Sequence, residues 1–543
     1  MGTRTAAPAA ESPATHGHRV AWGATVGILG TAAMVALLAS RPGSPMTPPL
    51  FPGAEAPPFL RWLTRVLGID ALSRDGVGVL AAVALVAAAA SFVYALREAW
   101  AGRLTLRRIF WVAVILHAVA VIIPLFLSRD VYSYAIYGRM VSVHGVNPYV
   151  DIPASFIDDP VYPLVSVDWI DSPSVYGPAF VVISAAVTGV FSSPPSLVLA
   201  FKALAAVASL GTMVLAVAGA RRVRPERAAF AAVLVGWNPV IVFHGVAGGH
   251  NDALVGLALA AGVLLILSGR ELWATVALVV GTLVKISGGV PLAIAVLAAV
   301  FRRPRGQRLR TLAAHVGVGL AVALPFIVPF EQAEDPSLGT LELTSRQGWL
   351  APSRFVLVVL RGTANFLGGD LAGDIVSVVV RLAFPLLFLI VLVMLVRHLA
   401  TDPARIEPPL VVAAMGWATL VALMISPLLY PWYAMWLVPV AWLVPRPARD
   451  GAVVVSVALA VTELVAEPSR APRVWEAMVF GLHYVATPIV LLVLIRLVLD
   501  LRRRLRAGPA PGWSDPLLME AVPVGGPGDG QVGRRWPRRR AAR

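Results

Sequence analysis

No cysteine occurs among the 543 residues, so disulfides, thiolate metal centres, a lipoprotein anchor and cysteine nucleophiles are all excluded. Charge is scarce as well, at 14% of residues against 58% hydrophobic, and mean hydropathy is +0.78. Soluble globular chains carry about 25% charged residues, so this composition belongs in a bilayer. Lysine is nearly absent: Lys202 and Lys285 are the only two among 45 basic residues. The net charge of +15 is therefore carried by arginine. It gathers in short loops and the C-terminal tail, where it reads as an orientation signal and not as a nucleic-acid surface. Period-2 alternation is also missing, which excludes a membrane barrel.

What is present is a series of apolar runs of about twenty residues, the length that crosses the hydrocarbon core as a helix. Runs at 20–39, 76–96, 109–127, 197–219, 228–244, 252–268, 311–329, 375–397 and 479–499 read as spans. Shorter ones at 272–286, 289–301, 409–426, 432–444 and 451–466 bring the expected total to about fourteen. The fold class expected is all-α, a polytopic transmembrane bundle. The first run is longer than a signal-peptide core and lacks a good cleavage site, so it reads as a retained helix. Arginines at 97–108, 221–227, 302–310 and 502–506 become cytoplasmic together, with both termini inside. Under that rule the apolar stretch 176–191 becomes an interfacial or re-entrant helix. The outer segments are then 40–75, 129–196 and 331–374. Residues 1–19 and 502–543 form polar cytoplasmic tails expected to be disordered, around one membrane domain at 20–501. No internal repeat is visible, which weakens a transporter reading.

Polar residues concentrate in a few places. RDVYSYAIYGRMVSVHGVNPYV opens with Arg129 and Asp130 at the outer end of the third span and is followed by DWIDSPSVYGP. A charged pair at a helix end is often only a solvated boundary, and tyrosines alone also make interfacial belts. Here they keep company with Tyr132, Tyr134, Asn147, Tyr149, Asp168, Trp169, Asp171 and Tyr176, the mixture of rings and hydrogen-bonding groups that holds a sugar. In WNPVIVFHGVAGGHNDALVGLAL, the residues His250, Asn251 and Asp252 follow two glycines in a tight turn. Helix capping explains one of these three polar side chains but not all of them. Lys285 stands in GTLVKISGGVPL between apolar runs, either as a functional cation or as a residue snorkelling to the interface. Lys202, near the outer end of a span, reads as snorkelling. Arg346, with Gln347 and Trp349, suits either a phosphate or lipid head groups. His117 and His315 read as packed residues.

The ordered set RDVYSYAIYGR, HGVNPYV, DSPSVYGP, GWNPVIVFHGVAGGHNDAL and LVKISGGVPL, from Arg129 to Pro291, resembles the bacterial polyprenol-phosphomannose-dependent α-1,6-mannosyltransferases of the MptA/MptB type, which are GT-C glycosyltransferases. The resemblance implies a GT-C-like bundle with an acidic catalytic residue in an outer loop after an early span, the position of Asp130. It implies polyprenyl-phosphate-mannose as donor, a mannan or lipoglycan acceptor, and chemistry on the extracytoplasmic face. The double-acid signature common elsewhere in that superfamily is replaced by a single Asp130 after arginine, so neither a metal pair nor another cofactor is expected. In this reading Asp130 is the base and Lys285 and Arg346 contact phosphate, while the aromatic and polar residues above hold sugar or acceptor. Another polyprenyl-linked sugar such as arabinofuranose, or a lipid-carrier flippase, are the competing readings. The topology is testable with reporter fusions: one placed near Val150 is expected to report an extracytoplasmic location, and a cytoplasmic signal there overturns the orientation.

Overall fold

The computed structural model describes residues 13–331, 351–401, 406–507 and 517–518. Among the described residues the secondary structure is helical throughout, with no strand. The first half runs α1 (Pro13–Ser40), α2 (Pro58–Val66), α3 (Arg74–Trp100), α4 (Leu106–Ile122), α5 (Asp130–Ser142), α6 (Pro178–Val190), α7 (Pro194–Val223), α8 (Ala228–Gly236) and α9 (Asp252–Leu267). The second runs α10 (Glu271–Val284), α11 (Gly289–Phe301), α12 (Arg305–Ile327), α13 (Pro352–Thr401), α14 (Pro408–Ile425), α15 (Ala434–Ala441), α16 (Arg446–Ala460), α17 (Pro472–Gly481) and α18 (Thr487–Ala507).

Among the described residues seven helices are long and apolar enough to cross a membrane, and an eighth span results if Pro225–Gly236 and Val240–Ala247, bent by 44°, count as one. Several starts are dictated locally. Ser73, Thr105 and Ser193 each accept a backbone N–H from the first turn of α3, α4 and α7, the side-chain cap that a helix end requires. Small residues set the packing: Ala81, Ala84 and Ala88 of α3 are buried against α1. A Cβ at Gly262 would sit 2.8 Å from Leu278, and one at Gly281 2.9 Å from Ala258, so α9 and α10 approach along glycine and alanine faces.

Two expectations change. The run at 375–397 is the second half of α13, a 50-residue helix interrupted at Gly369, where φ is 74°. The outer segment 331–374 is therefore helical from Pro352 onward. A straight helix of that length would measure about 75 Å, far beyond one crossing of about 30 Å, and the left-handed glycine breaks it. The second change concerns Lys202, which does not snorkel. It is 1% exposed, and its Nζ donates to the carbonyls of Ile123 and Pro124, groups left without helical partners where α4 ends. His117 and His315 are packed as expected, bonded respectively to Ala113 and Ser209, and to Thr275.

Helices α10 and α11 form a hairpin. Arg302, just past the end of α11, pairs with Glu271 at the start of α10, which leaves Lys285 at the opposite tip. At 14 residues, α10 spans about 21 Å. The tip is clasped by the chain entering α6: Gly177 N–H donates to the Val284 carbonyl at 3.1 Å, and a Cβ at Gly177 would lie 2.1 Å from the Leu283 oxygen. Gly177→Ala is therefore expected to cost about 1–3 kcal/mol and lower the melting temperature in detergent. Gly189→Ala, where nothing lies within 4 Å, serves as the control; equal melting of the two variants refutes the clasp.

Candidate active site

Asp130 is placed by an abrupt change of direction. After α4, Leu127 takes a left-handed φ of 60°, a conformation that is strained for a non-glycine residue, while its N–H donates to Met46. Ser128 Oγ then accepts the Asp130 N–H at 3.1 Å. Asp130 opens α5, where the helix dipole favours a carboxylate. Its side chain is 23% exposed. The neighbouring arginines are committed elsewhere: Arg129 pairs with Glu467, and Arg139 binds Asp159 through Nε at 2.8 and 3.0 Å. Asp159 also accepts from His144, and this buried cluster ties the loop after α5 to its helix.

Opposite Asp130 lies the Gly-Gly-His-Asn-Asp turn. A π-helical turn, Val240–Ala247, leads into Gly248 and Gly249, and Gly249 has φ of 68°. His250 Nδ1 reaches Asp130 Oδ2 at 3.5 Å and Tyr134 Oη at 3.4 Å, while the ring stacks on Trp432 with centroids 3.7 Å apart. Tyr134 Oη donates to Asn251 Oδ1 at 3.3 Å. Asn251 is the N-cap residue of α9 but makes no side-chain capping bond, so capping does not account for this turn. Burial pushes the Asp130 carboxyl upward, but the hydrogen bond and electrostatic attraction of His250, the charge of Lys285 and the Ser128 contact outweigh it. The balance leaves the carboxyl below its ordinary value.

Lys285 is held, not snorkelling. Its Nζ donates to Asp252 Oδ1 and Oδ2 at 2.9 and 3.1 Å and lies 4.6 Å from the Tyr433 ring and 5.2 Å from Trp436. Asp252 is fully buried and accepts a further bond from Trp436 Nε1 at 2.6 Å. Tyr433 and Trp436 stack at 4.1 Å, and Tyr430 and Trp432 at 4.8 Å. The result is an ionised carboxylate and a fixed ammonium beside an aromatic wall, an arrangement able to take a proton, hold an anion and cover an apolar sugar face.

Residues 25–301 match the family described as "Alpha-(1->6)-mannopyranosyltransferase, N-terminal domain". The chain belongs to this family. Among curated proteins it is similar to alpha-(1->6)-mannopyranosyltransferase A of Mycobacterium tuberculosis, 26% identical over 345 residues, covering 61% of this chain and 63% of that protein. It is also similar to alpha-(1->6)-mannopyranosyltransferase B of Corynebacterium glutamicum, 28% identical over 367 residues, covering 62% and 58%. A probable alpha-(1->6)-mannopyranosyltransferase of Mycolicibacterium smegmatis is 28% identical over 370 residues, covering 61% and 64%. In each case the chain spans less than two thirds of the relative's length. No solved structure matches it.

Within this family member, Asp130, Tyr134, His250, Asn251, Asp252 and Lys285 converge, with Tyr176 edge-on to Tyr134 at 4.9 Å. Several other expected contacts are given framework roles. Tyr132 Oη donates to the Pro49 carbonyl, Asn147 to the Phe330 carbonyl, and Tyr149 to the Tyr176 carbonyl; each ties its segment to a distant part of the chain. Asp168 and Asp171 are exposed, Asp168 accepting from Ser166, and half-buried Trp169 lends its carbonyl to Tyr137. Arg346, Gln347 and Trp349 lie outside the described residues. Among the described residues no three His, Asp or Glu side chains gather as a metal site requires.

Sequence reasoning missed the aromatic wall, because 432–444 reads as another span. YPWYAMW, four rings in seven residues of an otherwise aliphatic stretch, was the available signal. It also missed Glu463, since 451–466 reads as a span although α16 ends at Ala460 and Glu463 sits in the turn beyond. Burial, and then the charge of Asp130, push the Glu463 carboxyl up to about 8. It is thus mostly protonated at neutral pH and becomes a second negative charge near Asp130 as pH rises through that value. Glu463→Gln, a neutral mimic, is expected to keep turnover within a few-fold at neutral pH and to abolish the change in rate across pH of about 8. A variant that retains the parent's alkaline behaviour clears Glu463 of it.

Proposed function

We propose that this protein is a GT-C-type glycosyltransferase that moves mannose from polyprenyl-phosphate-mannose to an α-1,6-mannan acceptor of lipomannan type, on the extracytoplasmic face of a bacterial membrane. The observation that carries this reading is the pairing of an arginine-free, ionised Asp130 with the fixed Lys285 ammonium in a member of this family. About fourteen membrane crossings, counting the short helices, with both termini inside, belong to the same proposal. So do the absence of a cofactor and an inverting course.

The chemistry follows from the parts. As the acceptor oxygen bonds to the anomeric carbon, its proton passes to Asp130 and the bond from that carbon to the phosphate oxygen breaks, its electrons leaving with the phosphate. With a β-linked donor and an α-linked product, one displacement suffices and no covalent sugar intermediate is needed. Lys285 offers the leaving phosphate a restricted contact. An ammonium has three donors; Asp252 takes two, and the remaining one, together with the charge, serves the anion in a site of low dielectric. The partly exposed rings of Tyr430 and Trp436 supply the stacking surface, backed by the buried Trp432 and Tyr433.

Two experiments test this with purified protein in lipid nanodiscs, polyprenyl-phosphate-mannose and a mannan acceptor. Asp130→Asn is expected to lose about 10²- to 10⁴-fold in turnover while keeping donor affinity, and turnover within a few-fold of the parent removes Asp130 as the base. Lys285→Met alone strands the buried Asp252 charge, so the informative variant is the double substitution Lys285→Met with Asp252→Asn, which removes both charges. It is expected to fold and bind donor weakly. Normal donor affinity makes the ion pair purely structural, and movement of the lipid without mannose transfer by the parent refutes the enzyme reading.

A further inference from the structure

The acceptor chemistry assigned to Asp130 leaves open what keeps that carboxylate ionised and aimed, since the adjacent Arg129 is spent on Glu467. His250 is the group in contact, and its surroundings define which of its nitrogens carries hydrogen. Around Nδ1 stand Asp130 Oδ2 at 3.5 Å and Tyr134 Oη at 3.4 Å. The carboxylate accepts only. Tyr134 gives its single proton to Asn251 Oδ1, so toward His250 it also accepts. Both neighbours therefore require Nδ1–H. The other nitrogen, Nε2, is buried with no hydrogen-bond partner among the described residues. It lies against Gly248, where a Cβ would come within 2.9 Å of it. A second hydrogen on the ring would be a buried donor with nothing to receive it. Trp432, stacked at 14° to the ring plane, prevents the imidazole from turning to exchange its nitrogens.

We propose that His250 is a positioning residue locked as the Nδ1–H tautomer, which holds the Asp130 carboxylate by one hydrogen bond and does not itself receive the acceptor's proton. This rests on the reading of Asp130 as the base and goes beyond it by assigning a second group and excluding a relay. His250 is thereby removed from the set of sugar contacts, consistent with a side chain that is 0% exposed. Gly248 acquires a reason to be glycine, since any side chain would displace the ring.

The test uses the isosteric pair of amides. The Asn side-chain nitrogen can occupy the place of Nδ1, whereas that of Gln occupies the place of Nε2. The titratable groups facing Asp130 are His250, Lys285, Tyr134, Tyr176, Tyr433 and Glu463. Of the carboxyl groups in that set, Glu463 changes charge at about 8, so the acid limb of the rate profile reports Asp130. In full-length protein, checked by melting and monodispersity, His250→Gln is expected to move that limb upward by about one pH unit, the loss of one hydrogen bond to a charged group. Protonation of Asp130 then sets in at higher pH. His250→Asn is expected to keep the limb where the parent has it, whatever its rate. Equal limbs in all three proteins, or an upward shift in His250→Asn as large as in His250→Gln, overturn the proposal.

Should either amide variant fail to fold, Tyr134→Phe leaves the ring in place and removes the competing acceptor, giving Nδ1–H wholly to Asp130. The limb then moves to lower pH; an unmoved or raised limb overturns the proposal. Failure of the underlying reading looks different. Asp130→Asn would keep its turnover if Asp130 were not the base, whereas loss of turnover in Asp130→Asn with unmoved limbs in the His250 and Tyr134 variants rejects the role of His250 alone.

Discussion

One buried carboxylate holds the site together. Asp252, at the start of α9, binds Lys285 at the tip of the α10–α11 hairpin and Trp436 in α15, joining the next hairpin in the chain to a helix 184 residues away. Removing one partner of such a buried pair costs about 3–5 kcal/mol, because the remaining charge has no water to turn to. That penalty fixes the tip against the aromatic wall. The chain entering α6 presses on the same tip through Gly177, so the loop after α5 is registered to it as well. The position of Asp130 relative to Lys285 is thus set by packing around Asp252 and not by any direct bond between them.

The legible part of the chain is the part governed by composition. Apolar runs of bilayer length and arginine-marked ends predict an all-helical membrane bundle without any tertiary information, and α3, α7 and α12 fall where the runs lie. Lys285 stood out as a charge between apolar runs, Asp130 by its company of rings and hydrogen-bonding groups, and His250 and Asp252 as part of a polar turn that one helix cap cannot explain. What could not be read is pairing. Nothing local says that Lys285 meets Asp252, 33 residues away, or that Lys202 turns inward to close the end of α4. Hydropathy also conceals aromatic chemistry: Trp432, Tyr433 and Trp436 raise the score of an apolar run as leucines would, although their value here lies in ring faces and one indole N–H. Glu463 was hidden by the same averaging, a single acid at the frayed end of an apolar stretch.

The outer loop shows how polar residues divide between scaffold and chemistry. Tyr132, Asn147 and Tyr149 look like sugar ligands by type, yet their donors close backbone carbonyls of Pro49, Phe330 and Tyr176. Irregular backbone beside a bilayer must find partners within the protein, and side chains with short, directional donors meet that demand. The proposed chemistry uses the residues with remaining hydrogen-bonding capacity: the partly exposed Asp130 and the third donor of Lys285.

The arginine pairings explain why Asp130 suits the base role better than its neighbours. A carboxylate bound by a guanidinium, as Asp159 is by Arg139, is stabilised so strongly as an anion that it becomes a poor proton acceptor. A carboxylate whose desolvation is not offset fails in the opposite way, as Glu463 illustrates, because burial and the charge of Asp130 keep it mostly protonated at neutral pH. Like Asp159, Asp130 is held below its ordinary value, but without a guanidinium among the causes. Leu127 and Ser128 turn it away from Arg129, whose partner is Glu467. An imidazole N–H at 3.5 Å, the Ser128 contact and the charge of Lys285 together outweigh burial without a guanidinium pair. A base must be ionised before the reaction and still gain by taking a proton during it. Asp130, from which the adjacent Arg129 has been drawn away, is the carboxylate we propose to meet that condition.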